Sequence, residues 1–227
     1  MTVTVCWAVK GGSGATVVAA GLALTRPAPQ LLVDLDGELP AVLGLAEPTG
    51  QGLSDWFATD LAPSAVDELA IDVGAGARLI PRGADRIAPD AHRWPDLIDW
   101  LTTARNDVVI DAGTGPLPPA LATRRAGVQL TLVTRACYLA LRRAARCGVR
   151  PDAVVLVAEP GRSLGRRDVE QVVGAPVVTT VSVDPHLARA VDAGLLVARL
   201  PHLVGRELRR PPRPPTVLPH DAPVVGR

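Results

Sequence analysis

Seven short runs of Val, Ile and Leu constrain this chain more than any other feature. They lie at 2–9, 31–33, 78–80, 107–110, 128–134, 153–157 and 177–181. Most are apolar at successive positions rather than alternate ones, the pattern of strands covered by helices on both faces. Segments with helical character fall between them, at 15–24, 53–59, 64–70, 94–104, 118–126, 138–147, 164–173 and 186–193. Strand alternating with helix makes βαβ units. The expected fold is therefore α/β: a doubly wound, mostly parallel sheet of about seven strands with helices on both faces. Such sheets bind ligands at the carboxyl ends of their strands. One globular domain is expected over 1–205, then a Pro/Arg-rich tail over 206–227. The stretch from Leu208 to Pro223 carries too many prolines for a helix or a sheet ladder.

Composition narrows the function classes. Of 227 residues, 48% are hydrophobic, enough for a real core and against disorder along the whole chain. The net charge of +1 gives no basic excess to argue for nucleic acid, and 3% aromatics leaves little base-stacking surface. Cys6, Cys137 and Cys147 make no CxxC pair and no metal spacing, which suits a reducing compartment without disulfides. His92, His186, His202 and His220 show no spacing that suggests a metal or a catalytic relay. No apolar run reaches the ~18 residues of a membrane span, so no transmembrane segment is expected. The first residues read as a strand rather than a signal peptide. A cytoplasmic protein is the expectation.

The first run leads straight into Lys10-Gly11-Gly12-Ser13-Gly14-Ala15-Thr16, and a helical segment follows from Val17. Strand, glycine-rich loop and helix is the arrangement that cradles phosphate. Glycines let backbone N–H groups turn toward an anion, and the helix N-terminus adds its positive dipole end. The Thr16 hydroxyl stands where a Mg²⁺ ligand would be. The common G-x-x-x-x-G-K-[ST] pattern fails at two positions, because Val9 occupies the first glycine and Ala15 the phosphate-gripping lysine. Taken alone, the loop also reads as a glycine-rich turn without a ligand. The basic residues add a second signal: 23 are arginine and one, Lys10, is lysine. Arginine-rich codon usage accounts for the scarcity of lysine but not for where this one sits.

KGGSGAT resembles the deviant phosphate loop KGGxGK[ST] of the MinD/ParA family of P-loop ATPases, with Lys10 on that family's extra lysine. The resemblance continues in order over roughly 1–200. LLVDLDGELPAVLG is similar to the family's switch I, an apolar run followed by D-x-D, at Asp34 and Asp36. EPTGQGLSDWF and RLIPRGAD look like its "GL" helix and the following strand. DVVIDAGTG resembles its Walker B and switch II segment, at Asp111. VQLTLVTRACYLALRRAAR and APVVTTVSVDPHLARAVDAGLL resemble its later strand–helix units.

The resemblance implies an ATP- or ADP-binding protein with Mg²⁺, in which Lys10 to Thr16 and Val17 hold the nucleotide. It implies that Thr16, Asp34 and Asp111 arrange the metal, that Asp36 orients the attacking water, and that Lys10 reaches the phosphates of a partner protomer in a homodimer. Three departures stand out. Ala15 removes the lysine within the protomer, so slow or absent hydrolysis is expected. Val157-Ala158-Glu159-Pro160 lacks the asparagine the family often uses for adenine. Ala112-Gly113-Thr114-Gly115 replaces a more proline-rich switch II.

The function implied is a nucleotide-dependent dimerisation switch that positions a partner complex. Within the family the degenerate loop looks most like the pilus-assembly localisation branch (TadZ/CpaE-like) and septum-site relatives. The partner would then be a pilus or secretion ATPase or a septal protein that recruits the chain to pole, septum or membrane. The alternatives are a ParA-like partition ATPase binding non-specific DNA and a nucleotide-free scaffold. Arg142, Arg146 and Arg150 recur at four-residue spacing, beside Arg143 and near Arg124, Arg125 and Arg135. That spacing predicts a basic stripe on one helix face, open to DNA, to an acidic partner or simply to solvent.

Overall fold

Every residue of the first strand, β1 (Val3–Ala8), is buried. Its side chains alternate between two cores: Val3, Val5 and Trp7 enter one, Cys6 and Ala8 the other. This is what a central parallel strand requires, and it explains why the run carries no polar face. The computed structural model describes residues 2–26, 30–203 and 208.

The other strands are β2 (Gln30–Asp34), β3 (Ile71–Gly74), β4 (Ala77–Ile80), β5 (Asp107–Thr114), β6 (Val128–Arg135), β7 (Ala153–Ala158) and β8 (Val177–Ser182). They form one sheet in the order β3-β4-β2-β5-β1-β6-β7-β8. All neighbours are parallel except β3 with β4. The doubly wound α/β architecture is as expected, with eight strands rather than seven. The additional strand, β3, is a short antiparallel edge with Ile71, Asp72 and Gly74 exposed. An edge strand half in solvent lacks the two-sided apolar pattern by which the others were legible.

The helices are α1 (Ala15–Thr25), α2 (Leu39–Leu43), α3 (Leu53–Phe57), α4 (Trp94–Thr103), α5 (Pro119–Ala122), α6 (Tyr138–Ala144), α7 (Arg166–Val173), α8 (Pro185–Asp192) and α9 (Leu196–Leu203), with a 3₁₀ turn at Pro63–Leu69. Trp56 of α3, Trp94, Leu97 and Leu101 of α4, Leu121 of α5, Leu141 of α6 and Val169 of α7 cover one face of the sheet. On the other face lie Val18 and Leu22 of α1, Leu39 and Leu43 of α2, and Leu196 and Leu200 of α9. Leu208 is buried there too, filling the space over Gly21, where an added Cβ would meet its Cδ1 at 2.3 Å. The rest of the Pro/Arg-rich tail lies outside the described residues.

Several helices are shorter than their sequence suggests, each for a local reason. The segment from 138 stops at Ala144, because the Cys147 thiol donates to the Ala144 carbonyl and Gly148 turns the chain at φ 73°. Arg142, Arg146 and Arg150 therefore do not share one helix, and Arg150 instead donates to the Gly174 carbonyl. The helix from 118 ends at Ala122, where the Thr123 hydroxyl donates back to Pro119. The helix expected from 164 begins at Arg166, because Asp168 Oδ2 accepts the Gly165 N–H at 2.7 Å. Among the described residues no helix is long and apolar enough to cross a membrane.

Candidate functional site

The site gathers at the carboxyl ends of β1, β2 and β5, where the central strands release their loops. After β1, the chain turns through Gly12 (φ 72°) and Gly14 (φ 87°). Both conformations favour glycine strongly. Gly14 is the N-cap of α1 and offers it no side-chain cap. The first N–H groups of α1 thus have no intrahelical partner, which is the basis of an anion site. Val18 N–H, donating to the Gly14 carbonyl at 3.0 Å, closes the first helical turn. A Cβ added at Gly11 or Gly12 would meet nothing within 4 Å, so the mouth of the loop is open.

Two side chains set the loop's shape. Ser13, buried, donates its hydroxyl to the Lys10 carbonyl at 2.7 Å. Lys10 Nζ donates to the Gly11 carbonyl at 3.2 Å. Lys10 has no carboxylate partner among the described residues. Its ammonium is held only by a neighbouring carbonyl and can swing outward. Ala15, buried as the first residue of α1, presents no charge to the loop.

Strand register brings two carboxyls together. Asp34 ends β2 directly beside Asp111 of β5, and both are fully buried. They do different work. Asp34 accepts N–H donors from Asp36 (3.1 Å), Gly37 (2.7 Å) and Leu39 (3.2 Å), so it fixes the turn into α2. Asp111 Oδ1 accepts the Gly113 N–H at 3.1 Å, while its Oδ2 has no hydrogen-bond partner among the described residues. A buried carboxylate oxygen left without a donor calls for an explanation.

Burial pushes Asp34 up to about 6, against the N–H donors of Gly37, Leu39 and Asp36 and the Arg82 charge, which lower it. Burial likewise pushes Asp111 up to about 7. The Thr16 hydroxyl and Gly113 N–H lower it, and the Asp34 and Asp36 charges raise it. Both groups therefore hold protons in the folded chain at pH values where the unfolded chain has released them. The folded state binds more protons from about pH 4 to about pH 7, so stability falls as pH rises through that window. Scanning calorimetry without nucleotide should show Tm dropping by roughly 5–10 °C between about pH 5 and about pH 7.5, with Asp111→Asn flattening the slope.

Two residues that sequence reasoning did not single out hold Asp36. Gly113 packs against it so closely that a Cβ there would lie 2.2 Å from Asp36 Cγ. Arg82, in the turn after β4, donates to the Asp36 carbonyl and lies over Gly37. Neither contact could be read from spacing, since both arise where three separate turns meet. A third group also went unread. Glu159, after β7, pairs with Arg135 and Arg162, and the Arg162 guanidinium, with Arg135 behind it, holds the Glu159 carboxyl below its usual range. This cluster occupies the segment where the resemblance leads one to look for an adenine-reading asparagine. Cys6 lies in the core, with burial pushing its thiol up to about 12.

The residues present fit a phosphate with a divalent cation. Asp111 carries that orphaned oxygen and lies within reach of the Thr16 hydroxyl, which lowers its pKa, beside an open glycine loop. Among the described residues no group of three or more His, Cys, Asp or Glu could hold a metal unaided.

No family model matches the sequence, and no curated protein matches it. Solved structures do. A ParA family ATPase from Chlorobium tepidum TLS superposes with a TM-score of 0.69 at 20% identity, covering 91% of this chain and 96% of that one. The septum site-determining protein MinD from Pyrococcus horikoshii OT3, complexed with Mg-ADP, gives 0.72 at 20% identity, covering 92% and 93%. A variant of McdA from Cyanothece, in complex with ATP, gives 0.67 at 16% identity, covering 92% and 93%. The sheet order and these superpositions together show that this chain has the MinD/ParA-like P-loop ATPase fold.

Proposed function

We propose that this protein is a nucleotide-dependent dimerisation switch of the MinD/ParA type that positions a partner complex. The observation that carries the reading is the open glycine loop at the N-terminus of α1 beside the orphaned Asp111 oxygen. In this reading the N–H groups from Gly11 through Ser13, Gly14, Ala15 and Thr16 to Val17 cradle the phosphates. Thr16, Asp111 and Asp34 order a Mg²⁺ ion and its waters, and Asp36 orients water toward the terminal phosphate. Mg²⁺, when bound, neutralises phosphate charge. Lys10 crosses to the partner protomer's nucleotide, which its loose anchoring on Gly11 allows. Hydrolysis is slow or absent, because Ala15 supplies no charge.

Two of the similar structures are complexes with Mg-ADP and with ATP, which supports nucleotide and Mg²⁺ as ligands here. The degenerate loop favours a localisation role of the TadZ/CpaE or septum-site kind, with a pilus or secretion ATPase or a septal protein as partner. Isothermal titration with a non-hydrolysable ATP analogue and Mg²⁺ tests the reading. Saturable heat, together with a shift to dimer on sizing chromatography, is expected. Absence of heat would leave the nucleotide-free scaffold, and a dimer that forms without nucleotide would remove the switch.

A further inference from the structure

We propose that the groove between α6 and the turn after β5 docks an acidic peptide segment of another protein, one that also carries an aliphatic side chain. The groove encloses about 420 Å³. Val9, Pro116 and Leu139 supply apolar wall, and Arg142, Arg143 and Arg146 stand around it. The arrangement follows from how α6 is seated. Ala140 and Leu141 are buried and pin the helix to the sheet. Leu139, Arg142 and Arg143 then face outward together. The chain continues in a turn past Ala144, with Arg146 N–H donating to the Arg143 carbonyl at 3.0 Å. That turn returns Arg146 to the same side, so positions 139, 142, 143 and 146 share one face.

The charge on this face is uncompensated. Among the described residues none of the three guanidiniums has a carboxylate within 4 Å, and no acidic residue lines the groove. Elsewhere arginines do find partners, as Arg124 does in Asp152 and Arg135 in Glu159. Exposed ion pairs are individually weak. Charge alone would therefore steer a ligand without holding it, and the apolar wall must supply the rest. Leu139 is 44% exposed. Arginine is enriched at protein-binding interfaces, and apolar area at their buried centre.

Other occupants fit less well. A nucleic-acid backbone would satisfy the arginines but leave the apolar wall bare. The chain's own residues 206–227 hold five arginines against Glu207 and Asp221, the wrong sign for this groove. The groove also shares its walls with the nucleotide loop. Val9 directly precedes Lys10, and Gly115 N–H donates to the Ala8 carbonyl at 2.9 Å. An occupant would therefore sit against the turn whose shape the loop depends on.

The test is fluorescence anisotropy without nucleotide, so that its outcome is independent of the nucleotide-switch reading. The probes are a short labelled peptide of Asp and Glu around one Leu, its Asn/Gln counterpart, and a random-sequence DNA duplex. The acidic peptide should bind and the amide peptide should not. The triple variant Arg142→Ala, Arg143→Ala, Arg146→Ala should weaken binding by at least about tenfold. Leu139→Ser should weaken it severalfold while leaving its salt dependence unchanged, since it removes apolar contact and no charge. If the triple variant is poorly folded by circular dichroism, Arg142→Glu alone carries the test. Equal binding of both peptides, an unaffected arginine variant, no binding of the acidic peptide, or duplex binding that the acidic peptide does not displace would each overturn the proposal.

Discussion

Lys10→Ala is expected to abolish nucleotide-dependent dimerisation while leaving the fold intact. Removing one partner of a desolvated charge pair costs about 2–5 kcal/mol, and a symmetric dimer loses two such pairs. Dimer affinity in the presence of a non-hydrolysable ATP analogue should therefore fall by roughly 10³-fold or more. The fold should tolerate the change, because Lys10 is only half-buried and its ammonium meets nothing beyond the Gly11 carbonyl. A melting temperature within about 2 °C of the unaltered protein is the matching expectation. Sizing chromatography with and without the analogue decides the matter. A nucleotide-induced dimer that survives the substitution would mean that the lysine does not act across the interface.

Ala15→Lys should move turnover in the opposite direction. Restoring a charged donor beside the phosphates is worth about 10²–10³ in rate wherever such donors have been removed singly. Ala15 is the first residue of α1 and is buried, so circular dichroism should accompany the assay to show that the longer side chain is accommodated. A phosphate-release assay should show the gain. No gain, with analogue binding retained, would place the defect elsewhere, and the turn from Ala112 to Gly115 is the first place to look.

Much of the architecture was open to reading because burial on two sides leaves a plain mark. All six residues of β1 are buried, and such a run has one sensible explanation. The marks fade where that condition fails. Strand β3 escaped because its exposed Ile71 and Asp72 look like loop. Helix α2 escaped because Pro40 reads as a turn, although proline is well tolerated in a helix's first turn. Pro201, the sixth of eight residues of α9, hid that helix by reading as a breaker. In the site, the residues from Lys10 to Thr16 stood out through glycine spacing and one lysine. Asp34 and Asp111 were legible through the resemblance of their segments, but only the parallel register makes them neighbours. That Asp34 spends its oxygens on three N–H donors while Asp111 keeps one spare depends on the turn's exact path. Arg82 and Gly113 gave no signal, since their importance lies in what folding brings beside them.

The contact between Gly113 and Asp36 has a mechanical consequence. Because position 113 has no room for even a methyl group before it strikes the aspartate, the turn after β2 and the last residues of β5 are in direct contact. Steric transmission of this kind is indifferent to ionic strength, unlike a relay built from ion pairs. A shift of the segment after the second strand would thus be felt at the end of the fifth through direct contact, in dilute buffer as in concentrated salt.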